Sequence, residues 1–217
     1  MHQAGAATEA SEAPVGQPPT MGPMEALFVS TGLVTLAEIG DKTQLLSLVL
    51  AARFRQPLTI ALGILIATLA NHALAGALGA WLGSLLDPEL LRWVLGASFL
   101  AMAVWMLIPD RLEGDEADKA PPLGVLATTV LVFFLAEMGD KTQVATVVLA
   151  ARYESLVQVV VGTTAGMMLA NVPVVWLGER LTRRLPITLV HRISALVFVV
   201  LGVLAFILPP SGLEAIL

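Results

Sequence analysis

The chain contains no cysteine and little charge. Without cysteine there can be no disulfide, no thiolate metal site and no cysteine nucleophile. Charged residues make up 13% of the 217, against roughly a quarter in a soluble domain. Hydrophobic residues make up 57%, and the mean hydropathy is +0.83. The 12 Lys and Arg are outnumbered by 17 Asp and Glu. No basic patch of the kind nucleic acid requires can be assembled, so no nucleic-acid partner is expected. What remains is a chain whose solvent is the lipid bilayer.

Residues 1–23 are rich in Ala, Gly, Pro, Thr and Glu and hold few large apolar side chains, which predicts a flexible tail. They carry no Lys or Arg and no apolar core, unlike a secretory signal. A span needs about 20 mainly apolar residues. Such runs fall at roughly 25–52, 58–86, 90–108, 123–151, 155–178 and 189–208. The expected fold is therefore an all-α integral membrane protein of six transmembrane helices. With the amino terminus outside, the inner loops hold Arg53, Arg55, Arg111, Lys119, Arg180, Arg183, Arg184 and Arg192, while the outer loops hold only Arg92 and Arg152. That bias places both termini on the outer face, periplasmic or lumenal.

The strongest pattern is internal. Leu36-Ala37-Glu38-Ile39-Gly40-Asp41-Lys42-Thr43-Gln44 returns as Leu135-Ala136-Glu137-Met138-Gly139-Asp140-Lys141-Thr142-Gln143. Ala70-Asn71 returns as Ala170-Asn171, Trp81-Leu82-Gly83 as Trp176-Leu177-Gly178, and Arg92 as Arg192. The chain divides into a tail (1–23), a three-helix repeat (24–108), an acidic cytoplasmic loop (109–122) and a second three-helix repeat (123–217). Three helices per repeat is an odd number, so the second repeat enters from the opposite side. Inverted repeats of this kind place their substrate near the midplane, where the halves meet.

Ionisable groups in the bilayer cost at least a few kcal/mol each and must face one another or a cavity. Glu38, Asp41, Glu137 and Asp140 are the expected metal ligands, and Lys42 and Lys141 the charge-balancing groups. Read on a continuous helix, Glu38 and Asp41 share a face, and Glu38 with Lys42 forms an i,i+4 pair, as does Glu137 with Lys141. Gly40 admits a close neighbour and loosens the helix locally. Gln44, Gln143, Thr43, Thr142, Asn71 and Asn171 are accessory oxygen donors, and His72 a nitrogen donor that would favour manganese over calcium. Pro173 is expected to kink its helix beside Asn171. An all-oxygen cage suits calcium, magnesium or manganese. Four carboxylates and two ammonium groups sum to −2, which one divalent cation neutralises. A buried carboxylate that loses its cation takes up a proton instead. Such a site has the electrostatics of an antiporter.

The twin Glu-x-Gly-Asp-Lys-Thr motifs, Glu38 to Thr43 and Glu137 to Thr142, resemble those of the cation transporter family known as uncharacterised protein family 0016. It includes Golgi manganese and calcium transporters, chloroplast manganese transporters and bacterial manganese exporters. The resemblance spans the chain beyond the tail, and the short acidic 110–119 loop resembles the family's central loop. It implies divalent cation transport in exchange for protons, with manganese export first and calcium second. The motif acids would be the site, with no resident cofactor and no enzymatic activity. Partners are then the cation, protons and the bilayer, and a homodimer is compatible with the sequence. Two other readings remain at this point: a proton-coupled exporter of another small solute, and an intramembrane aspartyl hydrolase using Asp41 and Asp140.

Overall fold

The computed structural model describes residues 22–108, 124–178 and 187–209. The tail up to residue 21, the acidic 109–122 loop with Arg111 and Lys119, and the basic stretch with Arg180, Arg183 and Arg184 lie outside the described residues. Those described form helices only: α1 (Pro23–Glu38), α2 (Lys42–Phe54), α3 (Pro57–Leu85), α4 (Pro88–Met106), α5 (Val125–Glu137), α6 (Lys141–Arg152), α7 (Leu156–Leu177) and α8 (Ile187–Ile207). Pro23, Pro57 and Pro88 open α1, α3 and α4, where a missing N–H costs nothing. Asp87 caps α4 by accepting from the Leu90 N–H at 2.9 Å.

Helices α3, α4, α7 and α8 are each long and apolar enough to cross a membrane. Pro173 lies within α7, which runs unbroken to Leu177. The two motif segments are different. The runs 25–52 and 123–151, expected as single spans, are each interrupted inside the motif, α1 from α2 at Ile39–Asp41 and α5 from α6 at Met138–Asp140. The break has a local cause. Gly40 and Gly139 sit at φ +88° and +76°, where a side-chain-bearing residue is strained.

Helix α1 packs on α7, and α3 on α5, α6 and α7, while α4 pairs with α8. Glycines permit the closest approaches: a Cβ on Gly79 would lie 2.2 Å from the Val147 carbonyl oxygen, and one on Gly162 2.5 Å from that of Leu27. Two apolar clusters result. One joins α1, α4, α6, α7 and α8 through residues such as Leu33, Phe99, Met102, Leu149 and Phe198. The other joins α2, α3, α5 and α7 through Leu46, Leu50, Ile60, Phe133 and Val175. Leu74, Trp81, Val104, Leu169, Trp176 and Leu196 stand exposed on the outside, as a lipid-facing surface allows.

Candidate cation site

The site is built from the two breaks. In each repeat the first helix ends on its glutamate and the second begins on its lysine, with the aspartate as N-cap. An N-cap aspartate ordinarily accepts from its own helix. Neither Asp41 nor Asp140 does. Their carboxylates reach across to the other repeat: Lys141 Nζ lies 3.1 Å from Asp41 Oδ1, and Lys42 Nζ 3.2 Å from Asp140 Oδ1. This corrects the sequence expectation on two counts. Glu38 and Asp41 do not share one helical face, because the helix stops between them. The lysines pair with aspartates of the opposite repeat rather than with the glutamates four residues before them. The two pairs also differ in setting, since Lys141 is 1% exposed and Lys42 26%.

Hydrogen bonds hold the breaks open. Gln44 Oε1 accepts from the Gly40 N–H at 2.9 Å, and Gln143 Oε1 from the Gly139 N–H at 2.7 Å. Gln44 Nε2 donates to the Ala170 carbonyl at 2.9 Å. The threonine hydroxyls turn back to the glutamates, Thr43 to Glu38 Oε1 and Thr142 to Glu137 Oε2, the latter at 2.8 Å. Asn171 Nδ2 donates to Glu38 Oε1 at 2.9 Å, whereas Asn71 Nδ2 donates to the Phe134 carbonyl. The glutamines, threonines and Asn171 thus support the site through hydrogen bonds in this structure.

Three carboxylates converge. Glu38, Glu137 and Asp140 each offer an oxygen such that all three lie within 4.8 Å of one another, and all three residues are buried. Asp41 and His72 are not part of that group. Among the described residues, Glu38 Oε2, Glu137 Oε1 and Asp140 Oδ2 are buried without a hydrogen-bond partner. Buried anionic oxygens left unpartnered are costly unless a cation or proton accompanies them. His72 is fully buried on α3, with neither ring nitrogen partnered. A groove of about 620 Å³ between α3 and α5, lined by Ile66, Val125, Leu126, Val130 and Phe134, is apolar and does not touch the motif acids.

The glycines give a direct check. A Cβ on Gly40 would fall 2.5 Å from Ile187 Cγ2 and 2.8 Å from His191 Nε2, while one on Gly139 meets nothing within 4 Å. Gly139→Ala is therefore expected to cost about 1–3 kcal/mol of backbone strain alone. Gly40→Ala should lower the melting temperature further, as thermal unfolding of the two variants in detergent would show.

Sequence comparison agrees with the chemistry. The family model for the divalent cation/proton antiporter GDT1 matches residues 26–114 and 125–210. A protein of Vibrio cholerae named "Putative manganese exporter" is 49% identical over 185 residues, covering 85% of this chain and 92% of that protein. GDT1-like protein 3 of Oryza sativa subsp. japonica is 25% identical over 87% of this chain and 76% of its own length. GDT1-like protein sll0615 of Synechocystis is 26% identical over 64% of this chain and 74% of its own. No solved structure matches. The chain belongs to the divalent cation/proton antiporter GDT1 family, a family of transporters and not of enzymes.

Proposed function

We propose that this integral membrane protein exports manganese from the cytoplasm in exchange for protons, binding either at Glu38, Glu137 and Asp140. The observation that carries the reading is the set of three buried, unpartnered carboxylate oxygens beside two cross-repeat ion pairs. The pairs Asp41–Lys141 and Asp140–Lys42 are each neutral, so the site's net charge is that of Glu38 and Glu137. One divalent cation neutralises it, and so do two protons. The site is stable with either cargo and costly when empty, which is the condition for obligatory exchange. Two protons per ion would make the exchange electroneutral. Manganese as the cargo is supported by the name carried by the Vibrio relative and by the hard oxygen donors.

The architecture proposed for this activity is six spans in two inverted repeats, 24–108 and 123–217. The interrupted segments α1–α2 and α5–α6 each count as one span. The repeated motif, the paired breaks and the exchange of lysines between repeats support it. The distribution of Lys and Arg supports entry of α1 from the outer face of a bacterial inner membrane.

Binding can be tested without transport. Free manganese gives a six-line paramagnetic resonance spectrum that collapses when the ion is held by protein. Purified wild-type protein should quench it, and Glu137→Gln should weaken the quenching at least tenfold. A folded wild-type protein that leaves the spectrum unchanged at millimolar concentrations would refute the site.

A further inference from the structure

We propose that Ser47 and Asn171 are positioning residues that aim Glu38 at the ion. The proposal rests on the functional reading above and deepens it. Asn171 Nδ2 lies 3.2 Å from the Met167 carbonyl oxygen and 2.9 Å from Glu38 Oε1. A carbonyl oxygen can only accept, so this end of the amide is its NH2 group. The other end, Oδ1, accepts from Ser47 Oγ at 2.8 Å. Ser47 on α2 thereby fixes the amide of Asn171 on α7, which fixes the carboxylate at the end of α1. All three side chains are buried. Asn171 acts as a donor to a ligand, its own oxygen being taken. The second repeat lacks the brace: Thr146, the counterpart of Ser47, donates to the Thr142 carbonyl at 2.8 Å, and Asn71 donates to Phe134.

The test is a pair of substitutions read by manganese flux in proteoliposomes. Ser47→Ala should raise the half-saturating manganese concentration about tenfold with the maximal rate within about twofold of wild type. Ser47→Thr, which keeps the hydroxyl, should restore it. Wild-type kinetics in Ser47→Ala, or equal loss in both variants, would overturn the assignment, the second outcome marking a packing position. Complete absence of manganese flux in wild type would instead sink the functional reading.

A different observation, the unequal cover of the two breaks, carries a second inference: α4 and α8 move as one body that covers one break at a time. The two helices are tied by Trp93 on Phe206 at 5.0 Å between ring centroids, by Phe99 on Phe198, and by Arg92 Nη1 donating to the Phe206 and Leu208 carbonyls. The body touches both repeats, α8 against α1 and α4 against α6, but it closes over the first break alone. Ser194 Oγ donates to the Leu36 carbonyl at 2.8 Å, and Ile187 and His191 close over Gly40. The motif spacing of 99 residues, which also superposes the buried faces of α4 and α8, makes Leu95 the mate of Ser194 and Leu135 the mate of Leu36. The second break stays uncovered: Leu135 is 58% exposed and Met138 57%, and the position above Gly139 is open. Two near-identical motifs in such different settings describe one end state, and its mirror image is the other. In that second state α4 covers Gly139 and α8 leaves Gly40.

The absence of cysteine makes this testable in the whole chain. In active protein, Leu95→Cys with Leu135→Cys should be joined by a short bifunctional thiol linker, although Leu135 stands exposed in the structure. Leu36→Cys with Ser194→Cys should also be joined, and either link should reduce transport at least tenfold until it is cleaved. If the 95–135 pair never links in transporting protein, or the linked 36–194 protein transports at the unlinked rate, the exchange is wrong. Linking is read by gel mobility, so it is scored independently of whether manganese is the cargo.

Discussion

Asp140→Asn is expected to abolish manganese binding and transport while leaving the protein folded. Asp140 has two roles at once: Oδ1 meets Lys42, and the residue belongs to the buried group formed with Glu38 and Glu137, its Oδ2 having no hydrogen-bond partner. Asparagine keeps the shape and one oxygen but removes the charge. Truncating one partner of a buried, hydrogen-bonded charge pair typically weakens binding by about 2–5 kcal/mol. At about 1.4 kcal/mol per factor of ten, that is roughly one to four orders of magnitude in affinity. The fold survives because Lys42, the partner left behind, is partly exposed and can be solvated. Titration of manganese into wild type and variant, with a thermal melt of each, checks both halves. Near-native affinity in the folded variant would remove Asp140 from the site.

The second large effect falls on stability. Lys141→Met leaves the Asp41 carboxylate fully buried without its ammonium partner, and such an orphaned charge costs about 3–5 kcal/mol. Lys42→Met likewise strands a buried carboxylate, that of Asp140, but Lys42 is itself partly exposed, so water can reach that end of the pair and the loss is expected to be smaller. The sequence motif makes these two lysines equivalent, and the structure makes them unequal. Expression and melting temperature should fall further for Lys141→Met than for Lys42→Met. Adding Asp41→Asn to Lys141→Met should recover much of the loss, because the charge left unpaired is then gone. Equal melting temperatures for the two single variants would show that the buried pair is not what distinguishes the repeats.

The repeat, the motif acids and the apolar runs were legible because each is a local pattern: a nonapeptide written twice, and stretches long enough to span. The interruption was present too, in a form easily passed over. Asp41-Lys42-Thr43-Gln44 and Asp140-Lys141-Thr142-Gln143 place an N-cap residue three before a glutamine, the signature of a helix start rather than a helix middle. Gln44 and Gln143 do reach back, to the glycine N–H before the cap. Hydropathy alone masked this, because the apolar run continues through the break. The exchange of lysines between repeats was not legible, since Lys42 meets Asp140 only once the halves are packed. Nor was Ser47, an ordinary serine until the fold brings it to Asn171. Near-identical motifs also cannot announce that one break is covered and the other open.

In the proposed exchange, one site holds either a divalent cation or protons and passes between them. Manganese flux into proteoliposomes should be followed together with lumenal pH. Manganese entering down its gradient should drive two protons out per ion, with no dependence on membrane potential, and Asp140→Asn should stop both movements together. Manganese movement with no opposing proton movement would contradict it.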